Sequence, residues 1–334
     1  MEPLVSILIP TYNRSHLIKR TISSALSQTY QNIELIISDN SENNLTQKVI
    51  TDINCSKIKY MKNEQNIGPI LNWRKSLEHS NGKYCLILPD DDYLLNPFYI
   101  EDGVKLLSKS KCKLLIANSI ISYESGYQSK IGTTDLRYHV VNTDLQLPKV
   151  VKGLDFFNKF WKLNYQIPSI VNIFDKKLAL KIDAFNNNDI LYSDIECWLK
   201  MFLHTDVCFY KVPSIHYSFH GGNILFNMTQ EEIIKNSLFI TNVAKYWSEI
   251  NSIEEQSDDY NEIVQNFVIK YLLFAYKIET NRVNKSTIQE VCKINRVKYN
   301  NVINRLRKGK TKQRLKELLI QIKDSNAVRG FFRG

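Results

Sequence analysis

The run Leu86-Ile87-Leu88-Pro89-Asp90-Asp91-Asp92 closes an apolar stretch on three adjacent carboxylates. Repulsion among them disfavours this arrangement unless water, hydrogen-bond donors or a cation compensate. The triplet is therefore either a solvated turn or a place where something positive sits. Two other apolar runs end in the same manner, residues 4–9 at Pro10-Thr11-Tyr12-Asn13 and residues 33–37 at Ser38-Asp39-Asn40. Turns favour Asn, Asp and Ser anyway, so one polar strand end carries little information. Three at the same edge of one sheet point to a shared site.

The elements that would position these residues alternate along the first 120 residues. Short apolar strands are predicted at 4–9, 33–37, 57–61, 84–88 and 113–121. Helices are predicted at 15–27, 69–78 and 96–108, with Leu17, Ile18, Ile22, Ala25 and Leu26 on one side of the first. This alternation implies an α/β fold, a mainly parallel sheet with helices on both faces. Ligands of such sheets collect beyond the carboxyl ends of the strands, near a topological switch point. The pattern loosens over 122–148. It returns with segments at 154–163, 169–174, 191–203 and 207–219, and turns helical after Gly221-Gly222 at 229–250, 254–277, 285–293 and 314–323. We place a boundary near residue 226, giving an α/β part (1–225) and a helical part (226–334).

Composition narrows the classes. The 334 residues are 43% hydrophobic and 11% aromatic, which suits a chain with a sizeable core. No apolar run approaches bilayer length, and the start lacks the basic region of a secretory leader, so a cytoplasmic location is expected. The six cysteines are scattered without a C-x-x-C pair, which argues against a disulfide framework or a zinc site. The net charge is +10, and residues 302–334 hold ten Lys or Arg against Glu317 and Asp324, a net of +8. Within this tail, Leu315, Leu318, Leu319 and Ile322 fall on one helical face with cations elsewhere, and Phe331-Phe332 sit between arginines. Such a helix could lie on an anionic membrane at the inner face of the cell, pack on the body, or pair with another copy. No nucleic-acid-binding motif accompanies the charge, so nucleic acid is not expected as a partner.

Three blocks carry a resemblance. "VSILIPTYNRSHLIKRTISSALSQTYQNIELIISDNSENN", "NEQNIGPILNWRKSLEHSNGKYCLILPDDDYLLNP" and "YSDIECWLKMFLHTDVCFYKVPSIHYSFHGGN" resemble, in order and spacing, the nucleotide-sugar glycosyltransferases of family 2 with the GT-A fold. The resemblance spans about residues 4–225. It implies an inverting, metal-dependent transfer of a sugar from a nucleotide donor, a UDP-sugar foremost, to a glycan or lipid-linked acceptor in surface-polysaccharide assembly. It implies that Pro10, Thr11, Tyr12, Asn13 and Asp39 surround the nucleotide. Asn66, Gly68, Asn72 and Arg74 would line the nucleotide-sugar pocket.

The resemblance also supplies the missing cation, Mn²⁺ or Mg²⁺, which prefers oxygen ligands and bridges carboxylate to diphosphate. Asp92 is the implied metal ligand, with Asp90 and Asp91 reaching the ribose, the sugar or a metal-bound water. His220 matches a position that can touch metal or diphosphate. The family pattern has an Asp where this chain has Pro89. The base that takes the acceptor proton is implied at Asp194, although the usual Glu before it is Ser193 here. Trp73, Trp161 and Trp198 could stack on sugar faces, with core packing the simpler role. The missing Glu supports an alternative, a catalytically silent glycan- or anion-binding protein on the same fold.

Overall fold

The computed structural model describes residues 2–123, 138–140, 148–160, 170–220, 228–255, 257–278 and 283–308. The predicted basic helix at 314–323, the rest of the tail, Trp161 and most of the loose 122–148 stretch lie outside these residues. The described chain falls into two units. One holds the residues up to Asn188 together with Ser193–His220; the other holds Asp189–Tyr192 and the residues from Met228 onward.

The first unit is built on one sheet. Its strands are β1 (Val5–Thr11), β2 (Ile33–Asp39), β3 (Ile58–Lys62), β4 (Tyr84–Ile87), β5 (Tyr93–Leu94), β6 (Leu114–Tyr123), β7 (Tyr138–Val140), β8 (Val150–Val151), β9 (Ile173–Asp175) and β10 (Val207–Phe219). Flanking helices are α1 (Ser15–Leu26), α2 (Leu45–Ile53), α3 (Pro69–Glu78), α4 (Tyr99–Ser110), α5 (Gly153–Phe160), α6 (Lys176–Lys181) and α7 (Ser193–Phe202). The strand order is β3-β2-β1-β4-β9-β6-β10-β5, with β7 beside β6 and β8 beside β10. β3, β2, β1 and β4 run parallel, and β9 enters antiparallel between β4 and β6. All seven residues of β1 are buried, the continuous apolar pattern of a strand covered on both faces.

The chain moves from β1 outward to β2 and β3, then returns to the other side of β1 with β4. The switch point therefore lies between β1 and β4. The two strands pair only as far as Leu8 and Ile87, with a final bond from Leu88 N to Leu8 O at 2.8 Å. β1 continues along β2 to Thr11 opposite Asp39. Leu8 turns its carbonyl to β4, so Pro10, two residues on, faces the same side. A proline lacks the N–H needed to extend that ladder. The crevice thus opens where the sequence places Thr11 and the aspartates.

The predicted strands and the helices at 15–27 and 69–78 are found within a residue or two. The helix expected from residue 96 begins at Tyr99, because the Asn96 side chain accepts from Phe98 N in a turn at 3.0 Å. α2 is not among the predicted helices, although Leu45, Val49, Ile50 and Ile53 fall at helical spacing; the stripe is short and Thr46 is the helix's buried residue. In the second unit the expected helix at 229–250 is two helices, α8 (Gln230–Asn236) and α9 (Leu238–Asn251), followed by α10 (Asp258–Ile278), α11 (Lys285–Ile294) and α12 (Tyr299–Lys308). The break falls at Asn236-Ser237, whose polar side chains are fully buried and engaged. Asn236 accepts from Tyr192 N at 2.9 Å, and Asn295 donates to Ser237 Oγ at 3.0 Å. Thr229 and Glu232 cap α8 reciprocally. Among the described residues no helix is long and apolar enough to cross a membrane.

Helix α1 fixes the loop that follows β4. Thr21 Oγ1 lies 2.9 Å from Asp90 O and 2.8 Å from Asp92 O, Ser24 Oγ accepts from Leu94 N at 3.0 Å, and Gln28 donates to Asn96 O at 3.0 Å and accepts from Ile100 N at 3.2 Å. Thr21 and Ser24 share one face of α1, and Gln28 follows directly after its C-cap at Ser27. Replacing Thr21 by the near-isosteric Val should leave both carbonyls unpaired and cost about 1–3 kcal/mol. The check is the urea midpoint of Thr21→Val; a midpoint equal to that of the parent protein counts against the clamp.

Candidate active site

At the mouth of the crevice, Thr11 Oγ1 donates to Asp90 Oδ2 at 2.7 Å, joining the ends of β1 and β4 across the switch point. Arg14, at the start of α1, donates through Nη1 to Asp90 Oδ1 at 3.1 Å and to Asp91 Oδ2 at 2.6 Å. His220 Nε2 meets the same Asp91 Oδ2 at 2.9 Å. Behind the loop, Arg20 donates to Asp91 O at 2.7 Å and stands over the Tyr93 ring. Tyr93 stacks on His216 with centroids 4.4 Å apart. His216 is therefore a packed support residue. Ser218 at the end of β10 donates its N–H to Asp92 Oδ1 at 2.9 Å and its hydroxyl to Asp91 O at 2.8 Å. The triplet is not a solvated turn: its residues are 3%, 6% and 1% exposed.

The three carboxylates have different environments. Burial pushes Asp90 up to about 6, only partly offset by the Arg14 charge. Asp91 is also buried, but the His220 hydrogen bond and the Arg14 charge hold it below the usual carboxylate range. Burial and the neighbouring Asp91 drive Asp92 well above that range. Arg14 itself is raised: burial opposes its charge, and Asp90 and Asp91 more than restore it.

The other expected residues divide into groups. Asp39, fully buried opposite Thr11, accepts from Ser41 N at 2.7 Å and from the Tyr60 hydroxyl at 2.8 Å. Tyr12 and Asn13 are exposed beside it; Asn13 adopts a left-handed φ of 55° and bonds Ser41 Oγ through its N–H at 2.8 Å. Asn72 is buried in α3, bonding both polar groups of Ser38 and accepting from Asn63. Asn66 accepts from Gly68 N, and Gly68 O is held by Asn40 at 3.1 Å. Arg74 points elsewhere, to Glu78 at 2.6 Å and Asp183 at 2.9 Å. Trp198 is fully buried among Phe174 and Phe185, and Trp73 makes a T-shaped contact with Phe185.

Asp194 stands in the first turn of α7, where the helix N-terminus favours an anion. Its Oδ1 accepts from Ile195 N at 2.8 Å, and burial nevertheless pushes it up to about 6. Glu196 is committed to Lys200 at 2.6 Å.

Sequence reasoning passed over Arg14, Thr21, Ser218 and Asn188. Asn188 caps α3 from more than a hundred residues away, accepting from Ile70 N at 3.1 Å and Leu71 N at 3.0 Å and donating to Ile67 O at 2.6 Å. Gly68 beneath it has φ +83°, and an added Cβ would lie 2.4 Å from the Asn188 amide. Thr21 and Ser24 among the apolar residues of α1, with Gln28 just past its end, were a signal available in the sequence. Asn188 left none.

The residues suit an oxygen-preferring divalent ion. Asp92 Oδ2 is buried and, among the described residues, has no hydrogen-bond partner. It lies in the same short loop as the Asp91 carboxylate that His220 touches. No three His, Cys, Asp or Glu side chains form a closed cage among the described residues. An ion that takes part of its shell from water and substrate phosphate needs no such cage.

Residues 6–171 match the family model described as "Glycosyl transferase family 2". The chain belongs to this family. The match covers the blocks around β1 and the aspartates; the block with Asp194 and His220 lies beyond it. An uncharacterized glycosyltransferase of Rickettsia bellii is 28% identical over 74% of this chain and 37% of its own length. A glucosyltransferase of Escherichia coli, WfaP, named as using UDP-Glc and α-D-GlcNAc-diphosphoundecaprenol, is 42% identical over 27% of this chain and 36% of its own length. The chain spans half or less of the length of the first Rickettsia relatives it matches. S. aureus TarS 1–349 superposes with a TM-score of 0.62 at 16% identity, covering 96% of this chain and 88% of that one; its complex with UDP-GlcNAc gives 0.55 at 14%, covering 88% and 90%. At these identities the likeness concerns the fold, and that fold is the GT-A fold of the family.

The raised carboxylates make a prediction about pH. An unfolded Asp titrates near 4, whereas folded Asp90 and Asp194 titrate at about 6. The folded chain therefore binds these protons first. Their contribution to stability is complete below about pH 4 and is lost as the pH rises through about 6. In chelator, the urea midpoint should be higher at pH 5 than at pH 7.5, and Asp90→Asn with Asp194→Asn should flatten the difference. A midpoint that falls between pH 7.5 and 5 contradicts the assignment.

Proposed function

We propose that the protein is an inverting glycosyltransferase that moves a sugar from a UDP-sugar to a lipid-linked glycan acceptor in cell-surface polysaccharide assembly. The observation that carries this reading is the convergence of Thr11, the Asp90–Asp92 loop and His220 at the β1/β4 switch point, with Asp39 one strand away. The acceptor class is supported by the undecaprenol-linked substrate named for the E. coli relatives, and the donor class by their UDP-Glc and by the UDP-GlcNAc complex of TarS.

In this reading Asp39 and the Thr11–Asn13 turn receive the nucleoside, and the Asn66–Gly68 segment that leads into α3 borders the sugar. Asp92 and His220 would hold Mn²⁺ or Mg²⁺, with Asp91 beside them. When bound, the ion stabilises the charge that grows on the departing diphosphate. Asp194 accepts the proton of the acceptor hydroxyl as its oxygen attacks the anomeric carbon, and UDP leaves from the opposite face. A base with a pKa near 6 is largely ionised at neutral pH, as that role requires. The basic residues from 302 to 334 would bring the enzyme to an anionic bilayer that carries the acceptor.

The test is UDP release from a panel of UDP-sugars with Mn²⁺ and a GlcNAc-diphospholipid acceptor. Asp194→Asn should lower turnover by about 10²–10⁴-fold while leaving UDP binding within a few-fold. The kcat/KM of the parent protein should rise with pH through about 6 and then level off. Equal turnover in Asp194→Asn removes the base assignment, and no release from any donor would leave a glycan-binding protein on this fold.

A further inference from the structure

The aspartate loop is bound by a cation to which neither the sequence reading nor the proposed reaction gives a role. Arg14 occupies the N-cap position of α1 and makes no capping bond there. Its guanidinium instead bridges Asp90 Oδ1 and Asp91 Oδ2 at 3.1 and 2.6 Å. The oxygen it holds most closely, Asp91 Oδ2, is also the one that meets His220 Nε2. Neighbouring cations have other engagements. Arg20 binds the Asp91 carbonyl and the Tyr93 ring, and Lys62 stands 3.9 Å from Asp39. The Arg14 side chain is 28% exposed, against 5% and 9% for Asp90 and Asp91. It covers the carboxylates from the solvent side.

We propose that Arg14 is the resident counter-cation of the aspartate triplet and sets its divalent-ion affinity by sharing the Asp91 oxygen beside His220. The inference rests on the metal-dependent donor reading above. Two like charges a few ångströms apart in a partly dry site repel strongly. A dication arriving at Asp92 and His220, with Asp91 beside them, therefore meets the guanidinium that shares Asp91 Oδ2 with His220 and must displace or outbid it. Meanwhile Arg14 keeps three crowded carboxylates compatible with folding when no ion is bound. The bond to Asp90, anchored in turn by Thr11, gives the guanidinium a place to remain when Asp91 is taken. Arg14 is thus a positioning residue whose charge trades ion affinity for ease of ion exchange.

The test reads ion affinity directly. Mn²⁺ is titrated into the full chain at saturating UDP, and the free ion is followed by its electron paramagnetic resonance signal. Arg14→Gln, which removes the charge and keeps a hydrogen-bond donor, should lower the half-saturating Mn²⁺ concentration by about tenfold. Arg14→Lys should stay within about threefold of the parent protein, because the charge is retained. Arg14→Met provides a second neutral side chain should the Gln variant fail to fold, and thermal melting reports which variants are folded. Unchanged or weaker Mn²⁺ binding in a folded neutral variant overturns the proposal. So does equal tightening in Arg14→Lys. If the parent protein takes up no Mn²⁺ with UDP present, the metal-dependent donor reading falls and this inference falls with it.

Discussion

Three carboxylates buried at the end of an apolar strand are the constraint around which the first unit is arranged. An uncompensated charge in such a place costs several kcal/mol, so each carboxylate requires donors, a counter-charge or a proton. The chain supplies them from distant segments. Thr11 comes from the neighbouring strand, Arg14 and Thr21 from α1, and Ser218 and His220 from the last strand and its exit. Segments more than a hundred residues apart thus meet at one loop. The same contacts that make the loop tolerable also fix its shape before any ligand arrives.

The compensation is uneven. Asp91 is stabilised as an anion by a guanidinium and an imidazole, whereas Asp92 has one backbone donor and an oxygen left over. Adjacent residues of identical chemistry are thereby given different roles by their surroundings alone. A group of acids that were all fully neutralised would have little left to offer a ligand. One deficient oxygen beside a well-held anion leaves something to bind while the fold stays intact.

Much of this was legible in the chain itself. Strands buried on both faces announce themselves as unbroken apolar runs, and their polar stops at Thr11, Asp39 and Asp90 marked the edge where the crevice lies. α1 and α3 were visible for the same reason, since each has an apolar stripe. The short α2, whose stripe is only half-buried, was passed over, and the break at Asn236-Ser237 depends on partners that only the tertiary structure supplies. Which aspartate meets His220 was likewise beyond sequence, because three consecutive residues on a loop can point in any direction. The bond is to Asp91, although the motif drew attention to Asp92. Arg74, grouped with the nucleotide-sugar residues by its motif, is instead spent on Glu78 and Asp183, which no local pattern foretold.

Pro10 carries a consequence of another kind. Where two parallel strands diverge, nothing in principle prevents their backbones from closing one step further, and a closed ladder would have to be pulled apart whenever a ligand entered. Pro10 stands on the β4 side of β1 immediately past the last shared bond, with no hydrogen to offer. The fork cannot zip, so ligand entry requires no backbone bond to break. One imino acid keeps the backbones of the two strand ends apart.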